Sequence, residues 1–117
     1  MNIVFKTPKM SRIFNNIKLL SAEYGPDRAK LILRRLSQMK SADHLLEFSR
    51  LPPVPRCHEL QKRDGVDRRG QFSARLDGSW RLIFEPAGDQ LPVDENGKLI
   101  WDKVRTVRIL SVENYHD

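Results

Sequence analysis

Hydrophobic positions in the first part of the chain recur at the spacing of amphipathic helices. A short apolar run over residues 3–5 ends at Pro8 and predicts an edge strand. From Ile13 to Tyr24, apolar residues then recur at roughly helical spacing. This spacing places them on one side of the backbone and predicts a helix over 13–24.

The most regular helical pattern is YGPDRAKLILRRLSQMK, residues 24–40. Pro26 suits a first helical position, and Asp27 suits the positive end of the helix dipole. The apolar face contains Ala29, Ile32, Leu33, Leu36 and Met39, and the opposite, basic face contains Arg28, Lys30, Arg34 and Arg35. Ser41 is expected to cap a shorter helix, ADHLLEFS, which the prolines of LPPVP end.

The second part of the chain has the pattern of strands and turns. RCHEL, residues 56–60, predicts a strand, and QKRDGVDRRG, residues 61–70, predicts a charged loop. Residues 86–103 predict a long acidic connection in which LIW is expected to pair briefly. VRTVRILSV, residues 104–112, predicts a final strand with apolar residues on both faces, as in the middle of a sheet. Helices followed by a mostly antiparallel sheet predict an α+β fold.

Between these strands, FSARLDGSWRLIF at residues 72–84 predicts a hairpin that turns near Gly78. Apolar residues alternate with polar ones on each arm, so each arm has one apolar side. A strict two-residue loop at Asp77-Gly78 would place Phe72 and Trp80 on opposite faces of the sheet. That pairing would split the core.

A register shifted by one residue, through a three-residue loop or a bulge, keeps the apolar sides together and places Arg75 opposite Arg81. The apolar pairs are then Leu76 with Trp80, Ala74 with Leu82 and Phe72 with Phe84. Each apolar side chain moved out of the core costs about 1.5–3 kcal/mol. Like charges directly opposite cost roughly 0.2–1 kcal/mol, so burial decides the register. An anion would relieve the two arginines; alternatively they extend into solvent or pair with Glu59, Asp77 or Glu85.

Composition adds a basic balance to this picture. The 117 residues carry a formal net charge of +6, which suits a polyanionic or acidic partner, although a soluble protein that is merely basic has the same composition. The length predicts a single domain over 1–117. One cysteine, no apolar signal core and no membrane-length apolar run predict a cytoplasmic protein.

Candidate chemistry surrounds the hairpin. The basic residues Arg56, Lys62, Arg63, Arg68 and Arg69 could follow a phosphate backbone, although Asp64 and Asp67 dilute their charge and such a loop is often only solvated. His58 and His116 could transfer protons to and from an RNA phosphodiester, while arginine stabilises the charge that grows on the phosphorus oxygens. Tyr115 could stack on a base.

Several other chemistries fit the sequence poorly. The carboxylates are scattered, without a His-Glu-x-x-His helix or a close acidic pair, and no second soft ligand stands near Cys57, so no metal site or cofactor is predicted. A phosphate-binding loop of the GxxxxGK type is absent from the sequence. Cys57 and His58 do not form a nucleophile–base pair in a strand, because adjacent residues point to opposite faces. His44 is assigned a structural role, on the polar side of the short helix.

Four segments in this order, YGPDRAKLILRRLSQM, CHEL, GQFSARLDGSWRLIFEP and ENYHD, resemble the HigB branch of the RelE/ParE toxin superfamily of type II toxin–antitoxin systems. The resemblance covers roughly residues 24–117. It implies a RelE-like α+β fold with N-terminal helices on a small curved sheet. It also implies cleavage of mRNA on the translating ribosome, leaving a 2′,3′-cyclic phosphate. The implied partner is a HigA-like helix-turn-helix antitoxin, which alone would bring the complex to operator DNA.

The resemblance assigns roles to individual residues. His58 matches the histidine of HxL, Arg81 the arginine of WR-[IL]-x-F, and Tyr115 and His116 the end of DYH, whereas Arg75 stands where relatives often have a basic residue. Two positions depart from the pattern: Asn114 replaces the aspartate of DYH, and Gln61 replaces a lysine for which Lys62 could substitute. The first departure bears on the orientation of His116.

Two alternatives without RNA cleavage remain open. One is a non-enzymatic toxin like the gyrase-inhibiting ParE branch, which generally lacks the paired histidine and the terminal tyrosine-histidine. The other is an RNA- or partner-binding module whose basic face docks an antitoxin without cleavage. Asn114 and Gln61 favour the second alternative.

Overall fold

The computed structural model describes residues 1–61 and 65–115. Its helices precede most of its strands, and one core joins them, which confirms the α+β prediction with helices packed on a mostly antiparallel sheet. The strands are β1 (Asn2–Phe5), β2 (His58–Glu59), β3 (Phe72–Arg75), β4 (Trp80–Pro86) and β5 (Thr106–Asn114), in the spatial order β1-β5-β4-β3-β2. β1 is parallel to β5 and lies at an edge, as its short apolar run predicted.

The single helix predicted over 13–24 was wrong, because two helices meet there. α1 (Pro8–Phe14) is followed by its C-cap, Asn15, and α2 (Ile17–Tyr24) begins after Asn16. The Asn16 side chain accepts hydrogen bonds from the backbone N–H groups of Lys18 and Leu19, at 3.0 and 3.2 Å. An asparagine in this position caps a helix and interrupts a hydrophobic pattern that would otherwise look continuous.

α3 (Pro26–Ser41) confirms the regular helix, with Pro26 in its first turn. One residue departs from the predicted pattern: Arg35 was placed on the polar face, but it is buried and only 8% exposed. Its guanidinium donates to the backbone oxygens of Arg75 and Pro53, at 2.8 and 2.7 Å. Burial of this cation lowers its pKa.

The shorter helix, α4, spans Leu45–Arg50 and has a different cap from the predicted one. Ser41 is the last residue of α3, and His44 is the N-cap of α4. The His44 Nδ1 accepts the backbone N–H of Glu47 at 3.1 Å. His44 therefore has the structural role expected of it, but as a cap rather than as part of the polar helix face.

The hairpin has the register that burial predicted. β3 and β4 pair Phe72 with Phe84 and Arg75 with Arg81. Leu76 N–H donates to the Trp80 oxygen at 3.0 Å, which closes a three-residue loop over residues 77–79. Gly78 has a φ of +52°, a conformation that suits glycine in such a loop.

β5 lies inside the sheet, between β1 and β4, as its apolar composition predicted. A bulge interrupts its pairing with β4: Ile109 faces Phe84, Ser111 faces Ile83, and Leu110 lies between them without a partner position. The bulge changes which residues of β5 face the helices. Ser111 and Glu113 therefore lie on the face opposite the core, although Val107 and Ile109 belong to the core.

The core lies between the helices and one face of the sheet. It includes Phe72, Phe84 and Ile109 from the strands and Ile32 and Phe48 from the helices. In the connection 86–103, Leu99 forms an isolated bridge with Val93, and a 3₁₀ turn follows at Trp101–Lys103. This confirms brief pairing within LIW.

Candidate functional site

Three of the predicted site residues, His58, Arg75 and Arg81, lie on the face of the sheet that points away from the helices. We call this face the arginine face; its strand residues include His58, Ser73, Arg75, Arg81 and Glu113. His58 pairs with Ser73, which lies two positions before Arg75 on the same strand, and Arg81 pairs with Glu113. The face therefore combines imidazole, hydroxyl, guanidinium and carboxylate groups from four adjacent strands.

Arg75 and Arg81 lie directly opposite each other on this face. Arg75 donates its backbone N–H to the Pro55 oxygen at 2.7 Å, and its carbonyl accepts from buried Arg35. Within residues 1–61 and 65–115, the structure records no hydrogen bond or ion pair of the Arg75 guanidinium. Arg81 donates to the backbone oxygens of Gly78 and Trp80, at 2.8 and 3.0 Å.

The carboxylates considered as alternative partners of the two arginines have other contacts. Asp77 pairs with Arg28 at 3.1 Å, and Glu85 pairs with Arg108 at 3.1 Å. Glu59 accepts the backbone N–H of Gly70 at 3.2 Å. Among the described residues, none of these three carboxylates pairs with the Arg75 guanidinium, which suits it to contact an added anion.

His58 is an exposed residue at the outer strand of the arginine face. Its Nε2 lies 3.4 Å from the hydroxyl of Ser73, and its Nδ1 lies 3.3 Å from the carbonyl oxygen of Arg56. Arg56 has a φ of +51°, in the left-handed region that non-glycine residues rarely adopt. Both contacts help to orient the imidazole, and the Arg56 carbonyl comes from a strained backbone position.

Cys57, next to His58, does not share this face. Its side chain packs against the hydrophobic core, and burial raises the pKa of the thiol to about 12. The prediction that adjacent strand residues would point apart is confirmed. A thiol with this pKa is a poor nucleophile at neutral pH.

Arg68 and Arg69, predicted to contact RNA, are both paired with carboxylates. Arg68 donates two hydrogen bonds to Glu113, at 2.9 and 2.8 Å, and Arg69 pairs with Asp67 at 2.5 Å. The Asp67 pKa is lowered to about 2, mainly by its hydrogen bonds from Arg69. Arg68 and Arg69 therefore present less uncompensated charge than the sequence suggested.

Tyr115 lies at the end of β5, beside the hairpin loop. Its backbone N–H donates to the Ser79 oxygen at 2.8 Å, and the Arg68 guanidinium carbon lies 5.6 Å from its ring centroid. The neighbouring Asn114 accepts the hydroxyl hydrogen of Ser79. Asn114 thus fastens the end of β5 to the hairpin.

Sequence reasoning missed Glu113 and Ser73 as members of the site. Ser73 is fully buried, and Glu113 accepts from Ser111 at 2.5 Å as well as from Arg68. Alternation along the hairpin could have found Ser73, because it lies two residues before Arg75. The sequence did not indicate that Glu113 lies on the arginine face, because the bulge at Leu110 determines on which side of the sheet it lies.

Three predicted site residues, Lys62, Arg63 and His116, lie outside the described residues. Among the residues that the structure does describe, no group of three or more histidine, cysteine or acidic side chains could hold a metal ion. Over the same ranges, no helix has the length and apolar character to cross a membrane.

Comparison with known proteins shows a likeness among solved structures. No family model and no curated protein matches the chain. Among solved structures, it is similar to a chain of the YoeB-YefM complex from Staphylococcus aureus, with a TM-score of 0.48 and 20% sequence identity. The alignment covers 100% of this chain and 98% of that chain.

Proposed function

We propose that this protein is a HigB-like toxin of a type II toxin–antitoxin system, a cytoplasmic endoribonuclease that cleaves mRNA on the ribosome. The observation that carries the proposal is the cross-strand pair of Arg75 and Arg81, on a face that also carries His58. Folding brings the two like charges together because the apolar sides of the hairpin must be buried. A phosphodiester placed between them would offset their repulsion.

The proposed reaction needs proton transfer and charge stabilisation but no metal. A base removes the proton of the ribose 2′-OH, the 2′-oxygen attacks phosphorus, and an acid protonates the leaving 5′-oxygen. The products are a 2′,3′-cyclic phosphate and a free 5′-hydroxyl. His58 and His116 are the proposed proton-transfer groups, and Arg75 and Arg81 stabilise the charge on the phosphate oxygens.

Binding of RNA would extend beyond the reacting phosphate. Tyr115 stacks on a base in this proposal, as aromatic residues do with single-stranded RNA. The loop residues Lys62, Arg63 and Arg69 are proposed to follow the RNA backbone, whereas Arg68 is held by two hydrogen bonds to Glu113.

The proposed protein partner is an antitoxin of the HigA-like helix-turn-helix type, which would bring the complex to operator DNA. The chain's formal net charge of +6 supports acidic contacts from such a partner.

Controlled expression tests the proposed function. We expect growth arrest and mRNA cuts inside open reading frames. Arg81→Ala should lower the cleavage rate on programmed ribosomes by about 100-fold or more, because it removes a transition-state contact. Lys30→Ala is the matched control, since it removes one exposed charge from helix α3. Unchanged toxicity and cleavage in an Arg81→Ala, His116→Ala double variant would contradict the proposal.

A second candidate is a toxin or docking module that binds without cleaving. Pairing of Arg68 and Arg69 with carboxylates favours it, because these two arginines then offer less charge to an RNA backbone. Growth arrest with intact mRNA and altered DNA supercoiling would support a ParE-like activity. Normal growth without antitoxin would support the docking module.

A further inference from the structure

An ion pair connects the loop before β3 to the last strand. Arg68 lies in the loop, Glu113 lies on β5, and their side chains form two hydrogen bonds of 2.9 and 2.8 Å. The two residues are 45 positions apart in the sequence. The pair therefore joins Arg68 to a residue of the arginine face.

Further contacts fix both partners of this pair. The Arg68 Nε donates to the Gln71 side-chain oxygen at 3.1 Å, and Ser111 donates its hydroxyl to Glu113 at 2.5 Å. The hydrogen bonds from Arg68 lower the pKa of Glu113, and the same bonds raise the pKa of Arg68. Because the side chains are only 21% and 34% exposed, solvent weakens this pair less than the exposed Arg69–Asp67 pair.

The fixed guanidinium also contacts Tyr115. Its central carbon lies 5.6 Å from the ring centroid, within the range of a cation–π contact. Since Glu113 accepts two parallel hydrogen bonds, it sets the plane of the guanidinium. Ser79 holds the Tyr115 backbone through a 2.8 Å hydrogen bond, so backbone and ring are each held by a separate contact.

We propose that Arg68, held by Glu113, is a positioning residue that fixes the ring of Tyr115 for base stacking. This inference rests on the proposed function, in which Tyr115 contacts RNA. It assigns Arg68 a role through Tyr115 and Glu113, instead of the direct phosphate contact that its place in a basic loop suggests. The guanidinium of Arg68, paired with Glu113, then positions Tyr115 and does not contact the RNA backbone.

Tyrosine ring resonances test the positioning without any activity assay. The chain contains two tyrosines, so Tyr24→Phe assigns the signals of a tyrosine-labelled sample by NMR. We expect Arg68→Ala and Glu113→Gln each to shift the Tyr115 ring resonances while Tyr24 stays unchanged, which shows that the fold is intact. Arg69→Ala is the matched control, because it removes the neighbouring arginine, and it should leave the ring resonances of both tyrosines unchanged. An unmoved Tyr115 resonance in Arg68→Ala would overturn the proposal.

Cleavage kinetics separate positioning from direct phosphate contact. If Arg68 acts through Tyr115, Arg68→Ala and Glu113→Gln both lower kcat, by about tenfold, with little change in KM, and the double variant is no worse than either single one. If Arg68 contacts phosphate, the two variants act in opposite directions. Arg68→Ala would then raise KM, whereas Glu113→Gln would free the guanidinium and lower KM, and this outcome would overturn the proposal.

The two proposals fail in different ways. A wild-type protein that leaves mRNA intact on programmed ribosomes would contradict the proposed function, and the tyrosine resonances would still test the link from Arg68 to Tyr115. Normal cleavage together with an unmoved Tyr115 resonance would overturn the positioning role alone.

Discussion

The arginines of this chain differ in burial, and their positions in the sequence do not predict which of them are buried. Arg34 is exposed, whereas the next residue, Arg35, is buried under the end of β3. The hydrophobic pattern of a helix assigns any charged residue to the polar side, but a guanidinium can be buried when backbone oxygens satisfy its donors. The sequence could not show that Pro53 and Arg75 would offer those oxygens, because this depends on how the helix meets the sheet.

Replacement of Arg35 tests its structural role. Arg35→Ala should lower the free energy of unfolding by about 2–4 kcal/mol, because the backbone oxygens of Pro53 and Arg75 lose a charged donor. Arg34→Ala is the adjacent control and should change it by less than about 0.5 kcal/mol. Urea denaturation of both variants provides the measurement. Equal stability of the two variants would show that the buried hydrogen bonds contribute little.

The structure of a single element can be predicted from the local sequence where only one arrangement buries its apolar side chains. The hairpin register was predictable, since only one alignment buries both apolar sides and it places Arg75 opposite Arg81. The division between α1 and α2 was missed, although Asn16 is a recognisable helix cap. The bulge at Leu110 left no local signal, because strand alternation does not reveal where a partner strand loses register.

Gly78 tests the geometry of the hairpin loop. Gly78 has a φ of +52°, and a Cβ added there would have no atom within 4 Å. Gly78→Ala therefore causes no steric clash and adds only backbone strain. We expect a loss of about 1 kcal/mol in the free energy of unfolding. Gly78→Asn should lose less, because asparagine tolerates positive φ better than alanine. If the alanine variant is as stable as wild type in denaturant titration, the loop does not require this conformation.

The whole molecule assembles its candidate site from distant parts of the sequence. His58 precedes the hairpin, Arg75 and Arg81 lie on it, and Glu113 and Tyr115 follow a long connection. Chemistry and the family resemblance identified most of these residues in the sequence. The ion pair between Arg68 and Glu113 could not be predicted from the sequence. It depends on the position of Arg68 before β3 and on the bulge in β5 that determines the face of Glu113.

The same ion pair should make folding stability depend on pH. The folded-state pKa of Glu113 lies below its ordinary value of 4.5, mainly because of hydrogen bonds from Arg68. The resulting stability is present above pH 4.5 and is lost as the pH falls through the lowered pKa. Glu113→Gln should therefore be less stable than wild type at pH 7, by about 1 kcal/mol.

Denaturation at a series of pH values measures this effect. The difference between wild type and Glu113→Gln should shrink on acidification and approach zero once Glu113 is protonated. A difference that stays constant from pH 7 to about pH 2 would show that the carboxylate charge does not contribute.

The position of β5 has a consequence for how a nascent chain can fold. β5 is the last of the described strands to be synthesised, yet it lies between β1 and β4. Until it emerges, β1 has no neighbouring strand, and Val107 and Ile109 are missing from the core. A premature stop before Thr106 would therefore release a fragment with an open sheet edge and exposed apolar surface, a target for proteases rather than a partly active protein.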